Sequence, residues 1–204
     1  MKFMKKHHLM REALMQDLTK IKFEVKIVDY GLARILEHGE YAGTPAGTPE
    51  LIAPEIEDNY YDQRVDVWGI GLTFYMMLTM AKMFKDRNQV KWGRWCISSD
   101  LDFTVEGLRF INETVMYDPN RRAFPDQLKD HPYFQCDVSQ KKTIRELLPD
   151  LLASGLECMN TPGEARRNTY TSAVSTDAPK LWFNAKDPSD FEQLYKHITG
   201  QRSY

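Results

Sequence analysis

The run from Val65 to Met80 is apolar nearly all the way round a helix, and Asp66 is its one charged residue. A helix without a polar face is stable in water only when it is buried on every side, so the rest of the chain has to wrap around it. This predicts a core helix. Extended to Ala81, the same run is the longest apolar candidate in the sequence, but Asp66 breaks it short of the roughly 18 residues that cross a bilayer. No transmembrane segment is expected. With 204 residues, 42% of them hydrophobic, the chain has length for one to two domains and ample material for one core.

Charge and cysteine usage narrow the function classes. The 27 basic and 29 acidic residues leave a formal net charge of -2, which draws the chain neither to nucleic acid nor to an acidic membrane. Bulk charge does not choose the partner. Cys96, Cys136 and Cys158 lie far apart with no C-x-x-C, which argues against a disulfide framework and a thiolate zinc site and for a reducing cytoplasm or nucleus. Residues 1–24 read as a basic amphipathic helix, with Met10, Leu14, Leu18 and Ile21 on one stripe and Lys5, Lys6, Arg11, Lys20 and Lys22 elsewhere. A signal peptide would need an uninterrupted apolar stretch there. His7 and His8 are adjacent, so on a helix they point apart and do not share a metal ion.

The chemistry-bearing residues begin just after. Val25 to Val28 reads as a short strand, and Asp29-Tyr30-Gly31 opens a long functional loop that reaches Ala53-Pro54-Glu55 and ends near Asn59. A lone D-x-G means little, because any strand-to-turn junction favours Asp and Gly. The apolar lead-in of Val25, Ile27 and Val28 and the interval to Glu55 give it weight. Further on come Asp66-Val67-Trp68-Gly69-Ile70-Gly71-Leu72, Asp118-Pro119-Asn120-Arg121-Arg122 and His131-Pro132-Tyr133-Phe134. In this order and spacing the set resembles the D-F-G, A-P-E, D-V-W-S-L-G-V, D-P-x-x-R and H-P-W-F marks of the eukaryotic protein kinases. The resemblance covers about Val25 to Phe134. It implies that residues 25–136 form a kinase C-lobe, mainly α, with a short strand before the D-Y-G loop.

Several roles follow from that resemblance. Asp29 matches the aspartate that holds magnesium under the ATP phosphates, and it is the one position matching a direct ATP-site ligand. Thr48, in G-T-P-E, matches the threonine that seats the substrate hydroxyl in Ser/Thr kinases. Thr44, four residues earlier, falls where many such kinases carry an activating phosphate that pairs with arginine. Glu55 and Arg122 match a buried ion pair of architectural role. Asp66 matches the residue that tethers the catalytic-loop backbone.

Other family parts do not occur in the sequence. There is no Gly-rich loop, no strand lysine paired with a helix glutamate, and no H-R-D-x-x-x-x-N. Where that last loop would fall the chain reads Met10-Arg11-Glu12-Ala13-Leu14-Met15-Gln16. Asp17, in Asp17-Leu18-Thr19-Lys20, resembles D-L-K but stands too near Asp29, and it reads as a solvated helix aspartate. One carboxylate is a poor magnesium site without a phosphate cradle, so ATP and Mg2+ are implied by the family alone and very weak or absent binding is expected. The sequence then predicts a truncated, inactive kinase lobe whose partner is the missing N-lobe. The alternative is a stand-alone pseudokinase-like module that binds or scaffolds proteins.

Residues 137–204 form a C-terminal extension. Lys141 to Leu152 has amphipathic helical spacing, and residues 159–180, rich in Thr, Ser, Pro, Gly and Arg, read as a linker. Asp187-Pro188-Ser189-Asp190 resembles a helix start ahead of Phe191, Leu194, Tyr195 and Ile198. That helix is expected to dock on the lobe or on a partner. Trp92 and Trp95 are assigned to a G-helix-like region, and Leu108, Ile111, Val115 and Met116 to the core.

Overall fold

The computed structural model describes residues 26–37, 39–98, 103–135, 142–144, 146–147 and 180–200. The expected N-terminal helix, Asp17, the His7-His8 pair, Cys136, Cys158, nearly all of the 159–180 linker and most of the 141–152 helix lie outside them. The chain divides into two compact units, residues 1–34 and 35–204.

In the first unit the described stretch has no regular structure from Lys26 to Asp29, which takes a left-handed conformation, and closes in a 3-10 turn, Tyr30–Leu32. The strand expected over Val25 to Val28 is not formed by its described residues. Ile27 is 79% exposed and Val28 76%, and the stretch joins no ladder. A strand exists through its pairing, so Ile27 and Val28, with no neighbouring strand, form none.

The second unit is organised on helix α1, Arg64–Thr79, with Val67, Trp68, Gly71, Leu72, Phe74, Tyr75 and Thr79 buried. Burial on every side is not what forms. Asp66, Ile70, Thr73 and Met77 make one exposed stripe at helical spacing. Helix α1 packs on α3, Val105–Thr114, and α4, Pro125–Leu128, while its Trp68 stacks on Phe84 and its Tyr75 meets Trp95. The α1–α3 crossing is close because of Gly71, where a Cβ would strike Thr114 Oγ1 and come within 2.6 Å of Val115 Cγ2.

Helix α2, Arg87–Trp92, is short and capped at both ends. The Asp86 side chain accepts from Gln89 N, and Gly93 at φ 72 takes the left-handed conformation that ends a helix. Gly93 also decides the fate of the two tryptophans assigned to a G-helix-like region. Trp92 sits on α2 and is exposed, whereas Trp95 lies past the break and is buried in strand β1, Arg94–Ser98. Strand β2, Lys180–Asn184, pairs with β1 antiparallel, from Arg94 opposite Asn184 to Ser98 opposite Lys180. β2 therefore starts on the last residue of the expected linker. Leu181 and Phe183 alternate inward while Trp182 is only half-buried, the period-two pattern of a strand on a core.

Thr104 caps α3 by accepting from Gly107 N at 3.1 Å, and Leu108, Ile111, Val115 and Met116 are all buried as their spacing predicts. A short α5, Pro132–Gln135, follows α4. The chain's last described element is α6, Ser189–Thr199, which begins within the predicted helix start. Phe191 and Leu194 join Trp68, Tyr75, Phe84, Trp95, Phe110, Leu181 and Phe183 in one continuous hydrophobic cluster, with Tyr195 and Ile198 packed at its edge. No helix of the described residues is long and apolar enough to cross a membrane.

Candidate functional site

In the first unit Asp29 stands exposed at the head of the Tyr30–Leu32 turn with φ 66, and its side chain caps no backbone N–H. Asp is among the few residues that tolerate this left-handed conformation, since a short polar side chain can compensate locally. No group of three or more His, Cys, Asp or Glu among the described residues is placed to hold a metal ion.

In the second unit the loop from Ala42 to Asp58 is tied down at several points. Ala42 and Tyr61 exchange backbone hydrogen bonds of 2.8 and 3.1 Å, and the Tyr61 hydroxyl donates to Thr44 O at 2.6 Å. Tyr41 and Tyr60 stack beside this bridge with ring centroids 3.8 Å apart. The side chains of Thr44 and Thr48 are exposed, and no lysine or arginine hydrogen-bonds Thr44 among the described residues. The Thr48 carbonyl accepts from Leu51 N at 2.8 Å and Ile52 N at 3.1 Å, closing a turn. Gly47 enters that turn at φ 116, where a Cβ would lie 2.6 Å from Ile52 Cγ2. Only glycine fits there.

The loop then dives into the core at Ala53 and forms the 3-10 turn Pro54–Asp58, which carries Glu55. Glu55 meets Arg122 in a two-pronged ion pair, Nη1 to Oε1 at 2.5 Å and Nη2 to Oε2 at 3.1 Å. The remaining guanidinium hydrogens are also used. Nε and Nη2 donate to Met116 O at 3.1 and 2.7 Å, and Nη1 donates to Arg64 O at 2.8 Å. Arg122 thus has five donors and five bonds, with its guanidinium 5.2 Å from the centre of the Trp68 ring on α1. Such a pair registers one segment on another rather than adding much net stability, but removing one partner leaves a buried charge unmatched. Arg121, its neighbour, is exposed.

Arg87, which no sequence motif marks, forms a second clamp from the first residue of α2. It donates to Ile52 O at 2.8 Å and to Ala53 O and Pro54 O at 3.1 Å each, and pairs with Glu57 at 2.7 Å. Its hydrogen bond, with a second from Lys91, outweighs desolvation and lowers the pKa of Glu57. Four acceptors on one guanidinium are legible only once the chain has folded.

The remaining motif residues are architectural in their surroundings. His131 is buried, its Nδ1 accepts from Tyr133 N at 3.1 Å, and its Nε2 lies 3.3 Å from Glu113 Oε2. Burial alone would raise the Glu113 pKa, but the nearby His131 ring and the Arg109 guanidinium outweigh it and hold the carboxyl below the usual range. Asp66 meets no donor among the described residues. Although it is exposed as a residue, surrounding chain crowds its carboxyl, and this desolvation raises its pKa.

Of the positions singled out from the sequence, the fold brings Glu55 and Arg122 together and leaves Thr44, Thr48 and Asp66 on the surface of the same unit. The chain is 34% identical over 206 residues to the protein kinase domain-containing protein ppk9 of Schizosaccharomyces pombe, an overlap of 84% of this chain and 38% of that protein. It is 32% identical over 140 residues to the probable serine/threonine-protein kinase fhkC of Dictyostelium discoideum, covering 63% of this chain and 24% of that one. A third relative, the serine/threonine protein kinase OSK3 of Oryza sativa, is 30% identical over 126 residues, again with 24% of its length spanned. The chain therefore spans between about a quarter and two fifths of these relatives. A family model described as the protein kinase domain matches residues 9–134, well over half of the sequence, and the chain belongs to the protein kinase family.

Proposed function

We propose that this chain is the substrate-facing C-lobe of a Ser/Thr protein kinase, and that on its own it does not transfer phosphate. The observation that carries this reading is the attachment of the A-P-E turn. Glu55 is locked to Arg122 against the α1 post, and the Thr48 turn that precedes it is folded onto the same segment, leaving the Thr48 side chain open to solvent. That is the arrangement a peptide-receiving loop needs, a rigid base under an accessible rim.

Phosphoryl transfer depends on positioning and on charge stabilisation around the nucleotide. Asp29 supplies one exposed carboxylate, and the described residues do not by themselves fit a magnesium–nucleotide site. In this reading the phosphate cradle comes from an N-lobe, which is then the natural protein partner, and the compartment is the cytoplasm or nucleus. Upstream coding sequence in frame with a Gly-rich loop, a strand lysine and H-R-D would identify that N-lobe directly.

Incubation of the purified chain with radiolabelled ATP, magnesium and a generic protein substrate tests the proposal. No incorporation above background is expected, and no thermal shift at about 100 μM ATP, where tight binding would add roughly 2 kcal/mol or more. Incorporation that disappears with Asp29→Ala would overturn it.

A further inference from the structure

The Arg87 clamp binds a stretch of backbone with which it shares no motif. Ile52, Ala53 and Pro54 present three consecutive carbonyls to one guanidinium, and Glu57 closes the fourth side. These residues connect the Thr48 turn to the Glu55 anchor. The amide of Ile52 donates to Thr48 O while its carbonyl accepts from Arg87, so a single peptide-length of chain relays the clamp to the turn. The base of the clamp is itself held. Asp86 caps α2, and at its far end Gly93 O accepts from Ala185 N at 2.7 Å, tying the helix to the β2 end of the tail.

We propose that Arg87 is the positioning residue for the substrate-facing turn Thr48–Pro54. This rests on the C-lobe reading above and assigns it a second anchor, distinct from the Glu55–Arg122 pair. The glutamate pair fixes where the turn enters the core. Arg87 fixes the angle at which the preceding residues leave it. A guanidinium is suited to this because its planar fork reaches several acceptors at once; an ammonium at a single point does not.

The test is hydrogen exchange on the full chain and on Arg87→Lys, which keeps a charge for Glu57 but cannot span the carbonyls. Exchange at the Leu51 and Ile52 amides is expected to accelerate by about tenfold or more, while amides of α1 and α3 keep their rates. Arg87→Ala should accelerate the same two amides further, and Arg87→Lys stands in for it should the alanine variant not fold. Unchanged exchange at Leu51 and Ile52 in Arg87→Lys would overturn the proposal. So would equal acceleration across the turn, α1 and α3, since that would make Arg87 a general stability residue. Neither result depends on phosphotransfer, so failure here is separable from failure of the functional reading.

Discussion

The A-P-E turn and the D-Y-G turn are built by opposite means. Around Glu55 every charge is matched, the side chain is 7% exposed, and five hydrogen bonds leave its arginine partner nothing to offer water. Around Asp29 the backbone is left-handed at φ 66, the side chain is exposed, and no cap is formed. A buried carboxylate demands a partner from its own fold, because an unmatched charge in low dielectric costs several kcal/mol. An exposed one is satisfied by water and becomes functional only through what approaches it. Glu113 lies between these extremes, with a side chain 34% exposed and shared between Arg109 and His131.

If burial is what separates the two ends, substitutions should be graded by it. Arg122→Ala is expected to lose the most, about 3–5 kcal/mol in denaturant melts, and Glu55→Gln combined with Arg122→Met should recover part of that by removing both charges together. A loss as small as a surface substitution would break the comparison. The anchored end also depends on the core supplied by the tail, so Phe183→Ala, which empties a site beside Trp95, should cost about 3 kcal/mol. A near-neutral result would mean that β2 is dispensable to the lobe.

Glu113 sharpens the middle of the scale through pH. Its carboxyl is held below the usual range in the fold, so the stability it contributes is present above the ordinary glutamate value of about 4.3 and is lost as pH falls through the lower folded value. Urea midpoints at about pH 6 and about pH 3 should therefore fall further in the wild type than in Glu113→Gln. Parallel declines would remove Glu113 from the series. At the exposed end, Asp29→Asn, which keeps the tolerance of φ 66, and Arg121→Ala should each change stability by less than about 0.5 kcal/mol. A larger effect at Asp29 would show that its turn is anchored after all.

Much of the site could be read from the sequence. The A-P-E and D-P-x-x-R marks point to Glu55 and Arg122 through the resemblance to the kinases, since nothing in the residue order itself pairs two side chains 67 positions apart. Helix α1 and the start of α6 were legible, the first from its long apolar run and the second from Pro and Asp ahead of helically spaced Phe191 and Leu194. These are local codes, set by period and by capping chemistry within one or two turns.

What only the tertiary structure decided is everything that depends on a partner distant in sequence. Val25 to Val28 has strand composition but its described residues form no strand, whereas Lys-Leu-Trp-Phe-Asn at 180–184, beside linker-like sequence, becomes β2 because Arg94–Ser98 lies alongside it. The same holds for the exposed stripe on α1, which hydrophobic composition assigned to the interior. Arg87 is the sharpest case. Its acceptors are backbone carbonyls, which every residue carries, so no side-chain pattern announces them and only the path of the folded chain brings them to one guanidinium.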